Sequence, residues 1–325
     1  MSFFSKLKSR KLSKTLAAVA ASGILFFGAS DALAAPNNAN AEFRQAYLSL
    51  ANDVRTFDQT IIFFGTTFHV DMNGQGQILR DDSMRMSGNI NWEYTDPETD
   101  QTTNTNIPYY MTHSNNEMIL YVQRNNRWSR FLLPIIPADF IDAIKSNSMS
   151  VLEDNLNAVK RVEIFRETDT QEIFNITLDG EYLAERLNEY SQKNNTGRLS
   201  SNEIAERAKN FRNLEKALRK TDLICTWTVD KNQNATLTAV VDLTPLMRAY
   251  AESVLAEAAA GTIVLGDEER LFMETIGYYS ELHYSMSSSR IENTKTLVAP
   301  IEAVRAPVNQ NVFQDLIRRM ITSVR

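Results

Sequence analysis

Three histidines, one cysteine and a scatter of neighbouring carboxylates are the residues of this chain whose chemistry could build a catalytic or metal centre. His69, His113 and His283 fall in separate segments, with no second His or Cys at metal-ligand spacing, and read as structural or surface residues flanking strands. Asp81-Asp82 and Glu268-Glu269 are adjacent in turns, whereas a glycosidase needs its two carboxylates on opposed elements. Asp96, Glu98 and Asp100 alternate in a polar stretch that could touch Ca²⁺, yet the glycine and terminal Glu of a calcium loop are missing. Gly74-Gln75-Gly76 runs on into Gln-Ile-Leu without a third glycine, so it is no phosphate cradle, and no Gly-x-Ser-x-Gly elbow occurs. Cys225, in Leu223-Ile224-Cys225-Thr226-Trp227, reads as a buried strand thiol. Asn175, Asn194 and Asn234 open glycosylation sequons, which matter only in a host that glycosylates secreted chains. No catalytic residue, metal or cofactor is expected, and an envelope hydrolase would lack a nucleophile–base pair.

The elements that would position these residues are mostly strands. Ala41 to about Phe57 is predicted as an amphipathic helix with Phe43, Tyr47, Leu50, Ala51 and Val54 on one stripe. The period then drops from 3.6 to 2. Ile61–Val70 is expected as a strand with Phe64, Thr66, Phe68 and Val70 on one side, and Gly74-Gln75-Gly76 as a turn or bulge. Met84, Met86, Gly88, Ile90, Trp92 and Tyr94 alternate with polar residues, the pattern of a half-buried strand. Thr95–Asn106 is nearly all polar and is expected to be a solvated loop.

Hairpins are predicted at Met118–Gln123 with Arg127–Leu132 across Arg124-Asn125-Asn126, at Val159–Glu167 with Glu172–Leu178, and at Asp222–Asp230 with Ala235–Asp242. Helices are expected at Asp139–Lys145, Glu181–Lys193, Ser200–Lys220, from a Thr244 N-cap with Pro245 to Gly261, and at Asn309–Arg325. Leu271–Ser287 and Arg290–Leu297 are read as the last strands. Strands in adjacent pairs, with helices inserted between hairpins, predict an α+β fold with a large antiparallel sheet of roughly eight to eleven strands.

Residues 1–34 read as an address. Lys6, Lys8, Arg10, Lys11 and Lys14 precede the apolar run Leu16–Phe27, and Ala32-Leu33-Ala34 supplies a small-x-small cleavage pattern. The run falls short of the roughly 20 residues a bilayer span needs. The expectation is a Sec-type signal peptide cut near Ala34, a mature chain in the periplasm or outside the cell, and no membrane segment after cleavage. No cysteine follows the apolar run, which closes the lipoprotein route. Cleavage would take the net charge from −6 to −10, which opposes binding to nucleic acid or anionic lipid headgroups. A single cysteine allows no internal disulfide.

What the strands do offer is apolar, Met-rich surface. Phe64, Phe68, Met84, Met86, Ile90, Trp92, Met118, Leu120 and Trp128 are the candidate lining of a ligand cavity, with Met giving adaptable contact to a ligand of no fixed shape. The alternative is that they are only core. In its N-terminal helix leading into alternating strands, its strand Met84–Tyr94, its hairpins Ile119–Val122 with Trp128–Arg130 and Thr226–Lys231 with Val240–Leu243, and its closing run Ile291–Ala306, the chain resembles the LolA/LolB-like superfamily, which includes LppX- and LprG-like carriers. The resemblance implies an incomplete β-barrel over residues 35–306, with helices in its concave face and a C-terminal helix at 307–325. It implies a non-catalytic carrier or sensor of a lipid, lipoprotein acyl chain or other hydrophobic molecule. Extra helical length and the missing lipobox cysteine depart from that pattern. The alternative is an envelope protein-interaction or scaffold module with a filled core.

Overall fold

Alternation of side chains along each strand sorts this molecule into two unlike faces. The computed structural model describes residues 38–48, 55–66, 68–78, 84–96, 99–114, 117–132, 156–193, 212–231, 237–290 and 297–307. Its eleven strands are β1 (Arg55–Phe64), β2 (Phe68–Ile78), β3 (Met84–Thr95), β4 (Thr102–Ser114), β5 (Glu117–Arg124), β6 (Arg127–Leu132), β7 (Val159–Glu167), β8 (Gln171–Leu178), β9 (Leu223–Asp230), β10 (Leu237–Asp242) and β11 (Glu281–Arg290). They form one antiparallel sheet in the order β6-β5-β4-β3-β2-β1-β11-β10-β9-β8-β7. Two meanders thus lie side by side, welded where Arg55–Phe64 pairs along its whole length with Glu281–Arg290. β6 and β7 end the order, so the sheet is curved and not closed into a barrel.

The register carries one apolar row across nine strands: Val162, Ile176, Cys225, Val241, Tyr284, Ile61, Met72, Ile90 and Ile107. All but Met72 are buried, and Met72 packs against the same cluster. This inner face is where the helices dock. From α1 (Asn38–Leu48), the Phe43 ring meets Phe174 at 5.6 Å and Trp227 at 5.1 Å, and Tyr47 meets Trp227 at 5.4 Å. In α2 (Gly180–Lys193), Leu183, Ala184 and Leu187 face the core, and Asp179 caps the helix by accepting the backbone N–H groups of Glu181 and Tyr182. In α3 (residues 212–218), Asn213 accepts the Ser253 hydroxyl and Lys216 pairs with Glu257 at 2.7 Å, tying it to α4 (Thr244–Ala259). α5 (Asp267–Tyr278) packs along α4, whereas the short α6 (Ile301–Val304) lies on the opposite face against β5 and β6. No helix among the described residues is long and apolar enough to cross a membrane.

Several expectations need correcting. The described part of the first helix is Asn38–Leu48, and Phe57 belongs not to it but to β1, where its ring covers Gly76 on the inner face. Ile61–Val70 is not one strand. The Gly65 N–H donates to the Phe68 carbonyl at 2.9 Å, closing a turn that separates β1 from β2 and puts Phe64 and Phe68 on opposite faces. Gly74 and Gly76 sit inside β2, not in a turn. Of the polar stretch, Thr95 still pairs with Thr102 in the β3–β4 ribbon, and from Thr102 on β4 runs beside β3, polar on both sides because that end of the ribbon stands in solvent. Leu271–Tyr278 is helical: Phe272, Met273 and Ile276 form its buried stripe, and the Glu269 carboxylate accepts the Gly266 N–H. Thr244 does not cap α4. Its own N–H is taken by Asp242, and its hydroxyl accepts the Leu282 N–H at 3.0 Å, fastening the helix to β11.

The three predicted hairpins are present, with Asn125 and Asn126 at φ 48° and 59° and the turn after α4 made by Gly261 at φ 72°. The expected signal peptide, the helices at Asp139–Lys145 and Asn309–Arg325, and the Ser200 capping box lie outside the described residues.

Candidate ligand site

The nine sequence-chosen cavity residues divide between the faces. Phe68, Met86, Ile90, Trp92 and Leu120 come together on the inner face of β2, β3 and β5, all within 9 % exposure, and Met86 is wholly enclosed. Phe64 lies on the outer face, stacked on His283 at 6.0 Å and edge-on to His69 at 6.3 Å. Trp128 also belongs to the outer face, packed against Tyr110, Tyr121 and Ala303. Phe64 is thus separated from Phe68 by the break at Gly65, while Trp128 lines a groove on the outer face. Met84 and Met118 hold strand positions in register with His113, and their side chains lie outside the described residues.

Reading Thr95–Asn106 as a loop hid the strand that completes the inner patch. Ile107, Tyr109 and Met111 of β4 join it, opposite Ile90, Gly88 and Met86. Their own alternation was the available signal.

At the centre of this apolar face sits a small polar island. Gln59, Gly74, Gly88 and Tyr109 face one another across β1 to β4. The two glycines leave room for the Tyr109 side chain: a Cβ on Gly74 would lie 2.3 Å from its hydroxyl. A Cβ on Gly88 would lie 1.9 Å from the Asn73 carbonyl oxygen, so β2 and β3 approach too closely there for any side chain. Gln59 Nε2 and Tyr109 Oη are both buried, and neither makes a hydrogen bond of good geometry among the described residues, the Gln59 amide being the one group near enough to act on the Tyr109 hydroxyl. Burial raises the Tyr109 hydroxyl well above its ordinary range, with Gln59 pulling it down and Asp71 adding to the rise. Tyr284 is raised by burial and by Tyr109. Both tyrosines are therefore neutral donors at any physiological pH. Burial pushes the Cys225 thiol up to about 12, so it is an inert core group.

The outer face carries a different feature. Residues 297–307 cross it as a strap. Leu297 donates its N–H to Gln77 at 2.8 Å, and its carbonyl accepts Arg85 at 2.9 Å and Tyr110 at 3.3 Å. The Arg130 N–H donates to the Pro307 carbonyl at 3.0 Å. Between this strap, Trp128 and the outward side chains of β1 to β4 lies a groove of about 760 Å³. No group of three or more His, Cys, Asp or Glu among the described residues could hold a metal ion. His283 lies 3.2 Å from Glu281 and 3.6 Å from Asp242 on this exposed face.

No protein-family model and no curated protein sequence matches the chain. Among solved structures it is similar to "Crystal structure of LprF from Mycobacterium bovis", at 11 % identity and a TM-score of 0.37, covering 82 % of this chain and 99 % of that one.

Proposed function

We propose that this is a non-catalytic, exported binding protein of the cell envelope that carries or senses a lipid, an acyl chain or another hydrophobic molecule on the inner face of its sheet. The observation that carries the reading is the polar island in the apolar patch. Gln59 and Tyr109 place two polar groups, with at most a poor hydrogen bond to each other, inside a surface otherwise made of Met86, Ile90, Trp92, Met111 and Leu120. Buried polar groups without partners are costly, and a mostly apolar site with a few convergent polar groups is the usual design for binding a small molecule. An ester or carboxyl of an acyl ligand would satisfy both. Burying a chain of about 14 CH₂ groups at roughly 0.8 kcal/mol each supplies up to ~11 kcal/mol before the costs of binding, so no charged anchor is required.

Enclosure of the same patch supports a second reading, an envelope interaction or scaffold module with a filled interior. Native mass spectrometry on protein purified from its own envelope, followed by solvent extraction, separates them. A discrete adduct of lipid mass is expected. A clean apo mass that takes up no added lipid would favour the scaffold.

A further inference from the structure

We infer that the outer-face groove is a second binding site, built for a short uncharged glycan and separated by the sheet itself from the inner face. Two rows of outward side chains form its bed. One is Asp58, Gln75, Ser87 and Tyr110, and the other is Thr60, Asn73, Asn89 and Pro108. Strand spacing of about 4.8 Å makes each row ~14 Å long over β1 to β4, and two residues of rise set the rows ~6.7 Å apart, a bed for a short oligosaccharide. Trp128 closes one end, and Leu297, Val298 and Pro300 of the strap wall one side.

The chemistry of the bed selects the ligand class. Carboxamides and hydroxyls both donate and accept, as vicinal sugar hydroxyls require. Asp58, Thr60, Gln75, Ser87 and Asn89 make no side-chain hydrogen bond to another described residue, so their capacity is free. Asn73 spends one donor on Asp71 at 3.3 Å, which orients its amide. Half-buried Trp128 beside Tyr110 presents ring surface of the kind that C–H faces of pyranoses stack on, with polar edges reaching water. Among the described residues no cationic side chain lines the groove and the one acidic side chain is Asp58, which disfavours an anionic ligand. Arg85, one row further on, is engaged by the Leu297 carbonyl. An acyl chain would find little apolar surface in the bed, so this site does not depend on the lipid reading.

Trp128 also provides the readout, because Trp92 and Trp227 are buried on the other face. Titration of the whole protein with maltotriose, cellotriose, chitotriose and mannotriose, followed by tryptophan emission and calorimetry, should give saturable binding for at least one. Gln75→Ala and Asn89→Ala should each weaken it at least about tenfold, the equivalent of one or two lost hydrogen bonds, at unchanged Tm and unchanged lipid retention. Trp128→Phe should remove the emission change while leaving measurable heat. The inference is overturned if none of the four sugars binds in the millimolar range. It is equally overturned if both alanine variants bind as the wild type does, or if an uncharged Ser/Asn peptide of similar length binds as tightly.

Discussion

The inner and outer faces are written by the same eleven strands, one residue out of phase, and they solve different problems. Inward, the row from Val162 to Ile107 is apolar from β7 to β4, and its stability comes from area removed from water. Outward, the facing positions are Thr, Ser, Asn and Asp, as in Thr60-Asn73-Asn89 or Thr226-Asn175, and carry little packing. Each face departs from its rule in the half of the sheet built by β1 to β6. The inner face holds the poorly satisfied pair Gln59 and Tyr109; the outer face holds the apolar cluster of Tyr110, Tyr121 and Trp128 under the strap. The places where each face departs from its own rule are the places where binding is proposed.

That contrast can be broken most strongly at Phe174, which is fully buried between α1 and β9. Phe174→Ala should cost about 3–5 kcal/mol in denaturant unfolding, whereas Ile224→Thr on the outer face should stay within ~0.5 kcal/mol. Comparable losses would mean the faces are not energetically distinct. Next, Gly88→Ala forces a Cβ onto the backbone of β2 and should cost about 3 kcal/mol, since no flexible side chain can move aside. A near-neutral result would show that the close approach of β2 and β3 is not required.

Arg85→Ala removes one grip on the strap and leaves those from Gln77 and Tyr110. The expected loss is about 1–2 kcal/mol, with faster amide exchange at Ala299 and Ala303 and none of the change reaching α4. Uniform exchange across the molecule would mean the strap is not a separate unit.

The smallest effect is a titration where α1 meets the sheet. Burial, then the hydrogen bond and charge of Glu42, raise Glu172 above its ordinary 4.5. The folded state therefore holds that proton more tightly than the unfolded state. Its contribution to stability is complete below the ordinary value and is lost as pH rises through the raised one. Glu172→Gln should raise Tm slightly at neutral pH, leave it unchanged near about pH 4, and flatten the slope between. An unchanged slope would remove this contact as its source.

The strand pattern was legible wherever one face is wet and the other dry. Met84–Tyr94 shows it best, and the Asn125-Asn126 turn announces its hairpin by residue type. It was illegible where that contrast vanishes. Residues 102–106 of β4 are solvated on both sides and look like a loop, and the aromatic run Leu271–Tyr279 looks like a strand until its 3.6 period is weighed. Parity errors follow from unseen turns: missing the break at Gly65 placed Phe64 with Phe68. The polar island was hidden for another reason. Gln59 and Tyr109 are 50 residues apart in sequence and meet only because β1 to β4 pair in register.

Photocrosslinking tests the central claim most directly. The protein is loaded with a diazirine fatty acid, irradiated and digested, and the labelled peptides are read by mass spectrometry. Label on the inner-face segments around Met86–Trp92, Ile107–Met111 and Leu120 is the expected result, suppressed by Met86→Trp, which fills the patch. Label confined to exposed apolar side chains such as Phe165, Ile224 and Tyr278, or no saturable label at all, would contradict it.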